Sequence, residues 1–149
     1  IIDYINEIVK SFEETSKKEF IINCDQNSNS LNLTKSIEIV YGLRNFIGNA
    51  NKFSETKIFI NVKSDSNFTE IIIEDDGGGY PKDVLSKIGE PYVKSFKSSV
   101  KAKSGLGLGI FIGKTLLEKN YAKILCRNSK TRSGAEVSIK WKNKDLLRL

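Results

Sequence analysis

Two short runs of residues constrain this chain more than any other feature. From Lys57 to Lys63, Ile58, Ile60 and Val62 alternate with polar neighbours, the period of a half-buried strand. Phe68 to Glu74 is strand-like again, and only Ser64-Asp65-Ser66-Asn67 separates the two, so they pair as an antiparallel hairpin. A second hairpin is expected from Ala122–Asn128 and Ala135–Trp141. Parallel strands need a long crossover between them, which these connections are too short to supply. A parallel βαβ sheet is therefore not expected.

The remaining segments read as helices and one more strand. Asp3 to Lys18 places Ile5, Ile8, Val9 and Phe12 at helical spacing, and Glu19 to Cys24 is a short strand. After an Asn- and Ser-rich turn, Thr34 can cap a helix running to about Asn51, with Ile37, Val40, Tyr41, Leu43, Phe46 and Ile47 as its apolar stripe. Pro81 to Gly89 is a short helix, and another runs from about Gly105 to Lys119. The expected fold is a two-layer α/β sandwich, a mixed, largely antiparallel sheet covered on one face by helices.

At 149 residues the chain is one domain by length, able to bury roughly 68–70% of its unfolded surface. No apolar stretch approaches the ~20 residues of a membrane span. The chain begins at Ile1 and contains no Met, so it is expected to be part of a longer protein. Cys24 and Cys126 make neither a disulfide framework nor a metal set, and core packing in the reduced form is expected for both. The net charge of +6 owes much to Lys94, Lys97, Lys101 and Lys103 in a Ser-rich stretch. That stretch is either a solvated loop or a cover whose ammonium groups meet a polyphosphate. Without aromatic interleaving or a finger or helix-turn-helix spacing, nucleic-acid binding is not expected.

Glycine motifs narrow the chemistry. Gly113-Lys114-Thr115 resembles the end of a P-loop, but the required earlier glycine is Leu108 and Gly113 falls inside a helix. The dinucleotide fingerprint also fails, because its last glycine would be Ile110 or Ile112. What remains is Gly105-Leu106-Gly107-Leu108-Gly109 at a helix start. Such a terminus offers unpaired N–H groups and a favourable dipole to a phosphate, and glycine lets it approach. Tight helix packing is the alternative.

Two further groups fit the same ligand. Asp75 ends an apolar strand and is backed by Gly77 and Gly79; its carboxylate can accept from an adenine 6-amino group and would oppose the guanine carbonyl. Asp76 reads as turn chemistry. Asn45, Asn49 and Phe53 share a helix face at i, i+4 and i+8. Asparagine is a poor helix former, and its carbonyl suits Mg²⁺, which takes most of its ligands from phosphates and water. A buried amide bonded to backbone is the alternative. Amide, carboxylate and bare backbone together describe an ATP pocket.

Asn45 to Ser54, Asp75-x-Gly77-x-Gly79, Gly89-Glu90-Pro91-Tyr92 and the glycine run occur in the order of the N, G1, F and G2 boxes. They resemble the catalytic ATP-binding (HATPase_c) domain of sensor histidine kinases, in the gyrase/Hsp90/MutL-like (GHKL) superfamily with its Bergerat fold. The match covers about residues 19 to 142 and looks most like redox-responsive alphaproteobacterial kinases of the RegB/PrrB type. The resemblance implies that Asn49 holds Mg²⁺, Lys52 contacts phosphate, Phe53 lines the adenine, Asp75 reads its amino group, and residues from about Val93 to Ser104 form an ATP lid. Tyr92, Lys94 and the backbone from Gly105 through Leu106, Gly107 and Leu108 to Gly109 would also meet the nucleotide.

Asn45 stands where ATP-hydrolysing relatives carry a glutamate base; an amide takes no proton at neutral pH, so ATP would be kept for a protein acceptor. Two departures from the pattern are Gly89, where an aromatic is usual, and Lys103, where a glycine is frequent. The family's acceptor is a histidine on a separate dimerising hairpin, and this chain contains no histidine. The implied organisation is residues 1–18 as the end of that hairpin or a linker helix, and 19–149 as the catalytic domain. The chain alone would bind Mg·ATP without autophosphorylating. The implied parent is a membrane-anchored homodimer with its catalytic part in the cytoplasm, serving a response regulator. An ATP-hydrolysing relative and a non-catalytic nucleotide-binding module are the competing readings.

Overall fold

The computed structural model describes residues 1–25, 36–88 and 106–147. The chain order is α1 (Ile2–Glu13), β1 (Glu19–Cys24), α2 (Ile37–Phe53), β2 (Lys57–Ser64), β3 (Phe68–Asp75), α3 (Lys82–Leu85), α4 (Leu106–Lys119), β4 (Lys123–Asn128), β5 (Ala135–Lys142) and α5 (Asn143–Leu146). The sheet order is β1-β2-β3-β5-β4. β1 runs parallel to β2, and the other pairs are antiparallel. This is the mixed, largely antiparallel sheet anticipated, with both hairpins where the alternation placed them.

Strand alternation sorts the side chains into two faces. Ile58, Ile60 and Val62 of β2, Ile71 and Ile73 of β3, and Val137, Ile139 and Trp141 of β5 are buried in one core with Ile39, Leu43, Phe46 and Ile47 of α2 and Ile110 and Leu117 of α4. Trp141 is fully buried, and its indole N–H donates to the Asn120 carbonyl, 3.0 Å away, just beyond α4. Helix α1 adds Ile5, Ile8 and Val9 to the same core, and Phe12 stacks on Phe20 of β1 with ring centroids 6.4 Å apart. On the opposite face, Glu74 and Glu136 lie directly across from each other. Arg127 pairs with Glu136, while Ser129 Oγ donates to Glu74 at 2.6 Å, with Arg132 3.8 Å from the same carboxylate.

Helices α2 and α4 cross at very short range because glycine faces a large side chain twice. A Cβ at Gly42 would lie 2.6 Å from Leu117 Cγ, and one at Gly113 would lie 2.8 Å from Phe46 Cε2. The Gly113 of the apparent P-loop is thus a helix-packing residue.

Several boundaries differ from expectation. The cap of α2 is Ser36, whose hydroxyl accepts from the Ile39 N–H at 3.4 Å, rather than Thr34, which lies outside the described residues. Helix α3 is a single turn capped by Pro81, shorter than the 81–89 segment expected. α5 was not anticipated, being too short for periodicity to reveal. Cys24 is exposed, contrary to the core position expected of it, because β1 is an edge strand; Cys126 is half-buried against the core.

Candidate functional site

The second half of α2 carries the asparagines, and each has a distinct environment. Asn45 is half-buried, and its amide donates back to the Tyr41 carbonyl at 2.8 Å, one turn earlier. Asn49 differs. Its Nδ2 is buried and has no hydrogen-bond partner among the described residues. Its amide lies against the first turn of α4: a Cβ at Gly109 would stand 3.1 Å from Asn49 Oδ1 and 3.3 Å from Nδ2. Leaving a buried amide unsatisfied costs about 1–3 kcal/mol, and none of the described residues accepts from this group.

At the last turn of α2, Lys52 is exposed and its ammonium lies 5.6 Å from the centre of the Phe53 ring. The Phe53 carbonyl presses on the loop that follows β3, where a Cβ at Gly77 would fall 2.1 Å from that oxygen. No side chain fits there. Gly79 adopts φ +76°, a conformation that favours glycine, and faces Asn128. Asn128 holds the same loop through a reciprocal pair, accepting from the Tyr80 N–H at 2.6 Å and donating to the Tyr80 carbonyl at 3.0 Å.

Asp75 is buried at the end of β3. One carboxylate oxygen accepts from the Gly77 N–H at 2.9 Å and from the Ala135 N–H at 3.3 Å. Gly134 makes room for it, since a Cβ there would lie 2.2 Å from that oxygen. The carboxylate is thereby oriented by backbone from two separate segments. Tyr80 is buried close by, and burial, with Cys126 and Asp75 adding to it, raises its hydroxyl well above the ordinary range. Burial likewise pushes the Cys126 thiol up to about 11, partly offset by its hydrogen bond with Tyr80.

Asp76, read from sequence as turn chemistry, reaches further. Its carboxylate accepts from the backbone N–H groups of Glu55 at 2.8 Å and Thr56 at 3.0 Å and from the Thr56 hydroxyl at 2.5 Å. It bolts the turn after α2 to the end of β3. Desolvation raises its pKa, but the Thr56 hydroxyl and the N–H groups of Thr56, Lys57 and Glu55 outweigh this and hold the pKa at about 2.

The structure thus gathers Asn49, Phe53, Asp75, Gly77 and Gly109 around the end of α2, with Lys52 at its rim. Leu106, Gly107 and Leu108 belong to the first turn of α4. Tyr92, Lys94, Gly105 and the expected lid lie outside the described residues. Glu38, without a role from sequence, binds Lys119 at 3.2 Å and Asn120 at 3.2 Å, tying α2 to the end of α4.

The profile of the histidine kinase-, DNA gyrase B-, and HSP90-like ATPase family matches residues 34–145. The chain belongs to this family. Among curated relatives, the sensor histidine kinase RegB of Cereibacter sphaeroides is 34% identical over 119 residues, covering 70% of this chain and 26% of RegB. A putative sensor histidine kinase NtrY-like of Rickettsia bellii is 27% identical over 144 residues, covering 95% of this chain and 21% of that protein. The chain therefore spans about a quarter of the length of such relatives. The catalytic domain of histidine kinase ThkA superposes with a TM-score of 0.75 at 22% identity, covering 94% of this chain and 92% of that one. The mycobacterial sensor histidine kinase MprB gives 0.73 at 19% identity, covering 95% and 93%. The fold is that of these histidine kinase catalytic domains, as the box order implied.

Proposed function

We propose that this chain is the ATP-binding catalytic domain of a sensor histidine kinase, presenting Mg·ATP to a histidine on a separate dimerisation domain. One observation carries the reading: the end of α2 is a wall shared by three ligand-type groups. Asn49 meets the start of α4 at Gly109, and the Phe53 carbonyl meets Gly77, whose N–H orients Asp75. In this reading phosphates would meet the helix start, adenine the Asp75 carboxylate, and the Asn49 amide oxygen the metal.

The donor set suits magnesium. The Asn49 amide oxygen is a neutral hard donor of the kind Mg²⁺ takes beside ligands drawn from phosphate and water. Asn49 is the residue that would hold it. When bound, Mg²⁺ offsets phosphate charge during in-line transfer. Lys52 adds a cation at the rim, Phe53 an apolar surface for the base, and Asp75 selection for the 6-amino group. Tyr92, Lys94 and residues 105–108 complete the proposed nucleotide contacts. Asn45, with its amide turned to the Tyr41 carbonyl, offers no base for water, which favours transfer to a protein over hydrolysis.

Residues 1–18 are read as the end of the histidine-bearing hairpin or a linker helix that follows it, and 19–149 as the catalytic domain. The parent is read as a membrane-anchored homodimer acting through a response regulator, with this domain in the cytoplasm. No helix among the described residues is long and apolar enough to cross a membrane.

Titration with a fluorescent ATP analogue, with and without Mg²⁺, tests the site. Asn49→Ala is expected to remove the magnesium dependence of affinity. Unchanged binding in both Asn49→Ala and Asp75→Asn would refute the assignment. With labelled ATP the isolated chain should remain unlabelled, and addition of the histidine-bearing domain should produce an acid-labile phosphate there.

A further inference from the structure

The helix that carries the proposed ligands ends without a glycine cap. Its last turn is closed by Ser54 and followed by Glu55. The carbonyls of a helix C-terminus have no partners of their own, and the dipole leaves partial negative charge there. Here a lysine from outside the helix supplies both needs. Lys18, in the turn between α1 and β1, donates through Nζ to the Asn51 carbonyl, to that of Ser54 at 2.8 Å and to that of Lys52 at 3.4 Å. Beside it, Ser16 Oγ meets Asn51 Oδ1 at 2.7 Å and accepts from the Lys18 N–H at 3.1 Å.

The contact continues up α1. The Arg44 guanidinium donates to Ser11 Oγ at 2.8 Å and covers the Phe12 ring at 4.8 Å. A Cβ at Gly48 would lie 3.3 Å from the tip of Phe12. From Ser11 to Lys18, then, the leading segment grips α2 from residue 44 to residue 54. The asparagines and Phe53 of the proposed site lie within this span.

We propose that Lys18 is a positioning residue for the nucleotide site, and that through it the segment ahead of β1 sets the placement of Lys52 and Phe53. This rests on the nucleotide reading above. Lys18 reaches only backbone carbonyls, that of Lys52 among them, and no side chain proposed to meet the nucleotide; it acts by fixing the turn from which those two side chains project. Coupling of this kind is reciprocal: if the clamp favours nucleotide, nucleotide favours the clamp.

The test uses the whole chain. Lys18→Met keeps most of the aliphatic stem and removes the donor; Lys18→Arg restores one. At a temperature well below unfolding, Lys18→Met is expected to bind Mg·ATP about fivefold to tenfold more weakly, with Lys18→Arg within about twofold of wild type. In wild type, Mg·ATP should slow amide hydrogen exchange at residues 16–19. This second readout needs no substitution and stands if Lys18→Met fails to fold. A variant that melts earlier yet binds nucleotide like wild type would make Lys18 a stability cap only and overturn the proposal. So would unchanged exchange at residues 16–19 on saturation. Failure of wild type itself to bind nucleotide would instead refute the function proposed above.

Discussion

Asp76→Ala tests whether the two halves of the site are joined where the structure joins them. The substitution removes one carboxylate that receives two backbone N–H groups and a hydroxyl. Charge-assisted bonds of this kind contribute ~1.5–3 kcal/mol each when buried, but the freed donors at Glu55 and Thr56 are exposed and regain water. A total loss of about 2 kcal/mol is therefore expected, or roughly 4–8 °C in Tm for a chain of this size.

The pH dependence gives the argument its sign. The carboxyl is lowered from 3.8 to about 2 in the fold, so its contribution is complete above the unfolded value and is lost as pH falls through the folded one. The stability gap between wild type and Asp76→Ala should be flat from about pH 8 to pH 5 and narrow by about half near pH 3. Urea unfolding followed by circular dichroism at several pH values measures it. A gap that persists undiminished at about pH 3, or widens there, would refute the reasoning. So would a cost at neutral pH under about 0.5 kcal/mol, the range of an ordinary surface change.

Three further outcomes follow from contacts described above. Asp75→Asn keeps an oxygen for Gly77 and Ala135 but turns an amide donor toward the base; ATP affinity should fall by about tenfold to a hundredfold and GTP should gain relative to it, read by competition binding. Gly113→Ala forces a Cβ onto Phe46 and should cost about 1–3 kcal/mol in urea unfolding with nucleotide affinity unchanged in the folded protein; a selective loss of affinity would restore the phosphate-loop reading. Cys24, being exposed, should alkylate with iodoacetamide at about pH 8 well before Cys126, whose thiol sits near 11; mass spectrometry of the two peptides decides it.

Local periodicity made most of this fold legible. The strand from Glu19 to Cys24 and the hairpin of Lys57–Ser64 with Phe68–Asp75 follow from apolar runs and short turns, because strand pairing at that separation is a local matter. The parallel placement of β1 beside β2 is not local: α2 lies between them, and nothing in either strand states the direction of pairing. The site divides the same way. Asn49, Asp75 and the glycines stood out because their residue types are costly where they occur. Lys18, Asp76, Asn128 and Gly134 did not, since a lysine, an acid, an amide or a glycine in a turn is ordinary until a distant segment is brought against it. Cys24 was misjudged because apolar neighbours along an edge strand say little about what covers it.

The lone tryptophan is placed usefully. Trp141 is sealed in the core with its N–H held by the carbonyl at the exit of α4, so its fluorescence should be blue-shifted in the native protein and move to the red when that helix lets go. A single tryptophan, excited selectively over the tyrosines and distant in sequence from the proposed ligands, gives every variant of this chain a label-free readout of whether α4 is still seated on the sheet.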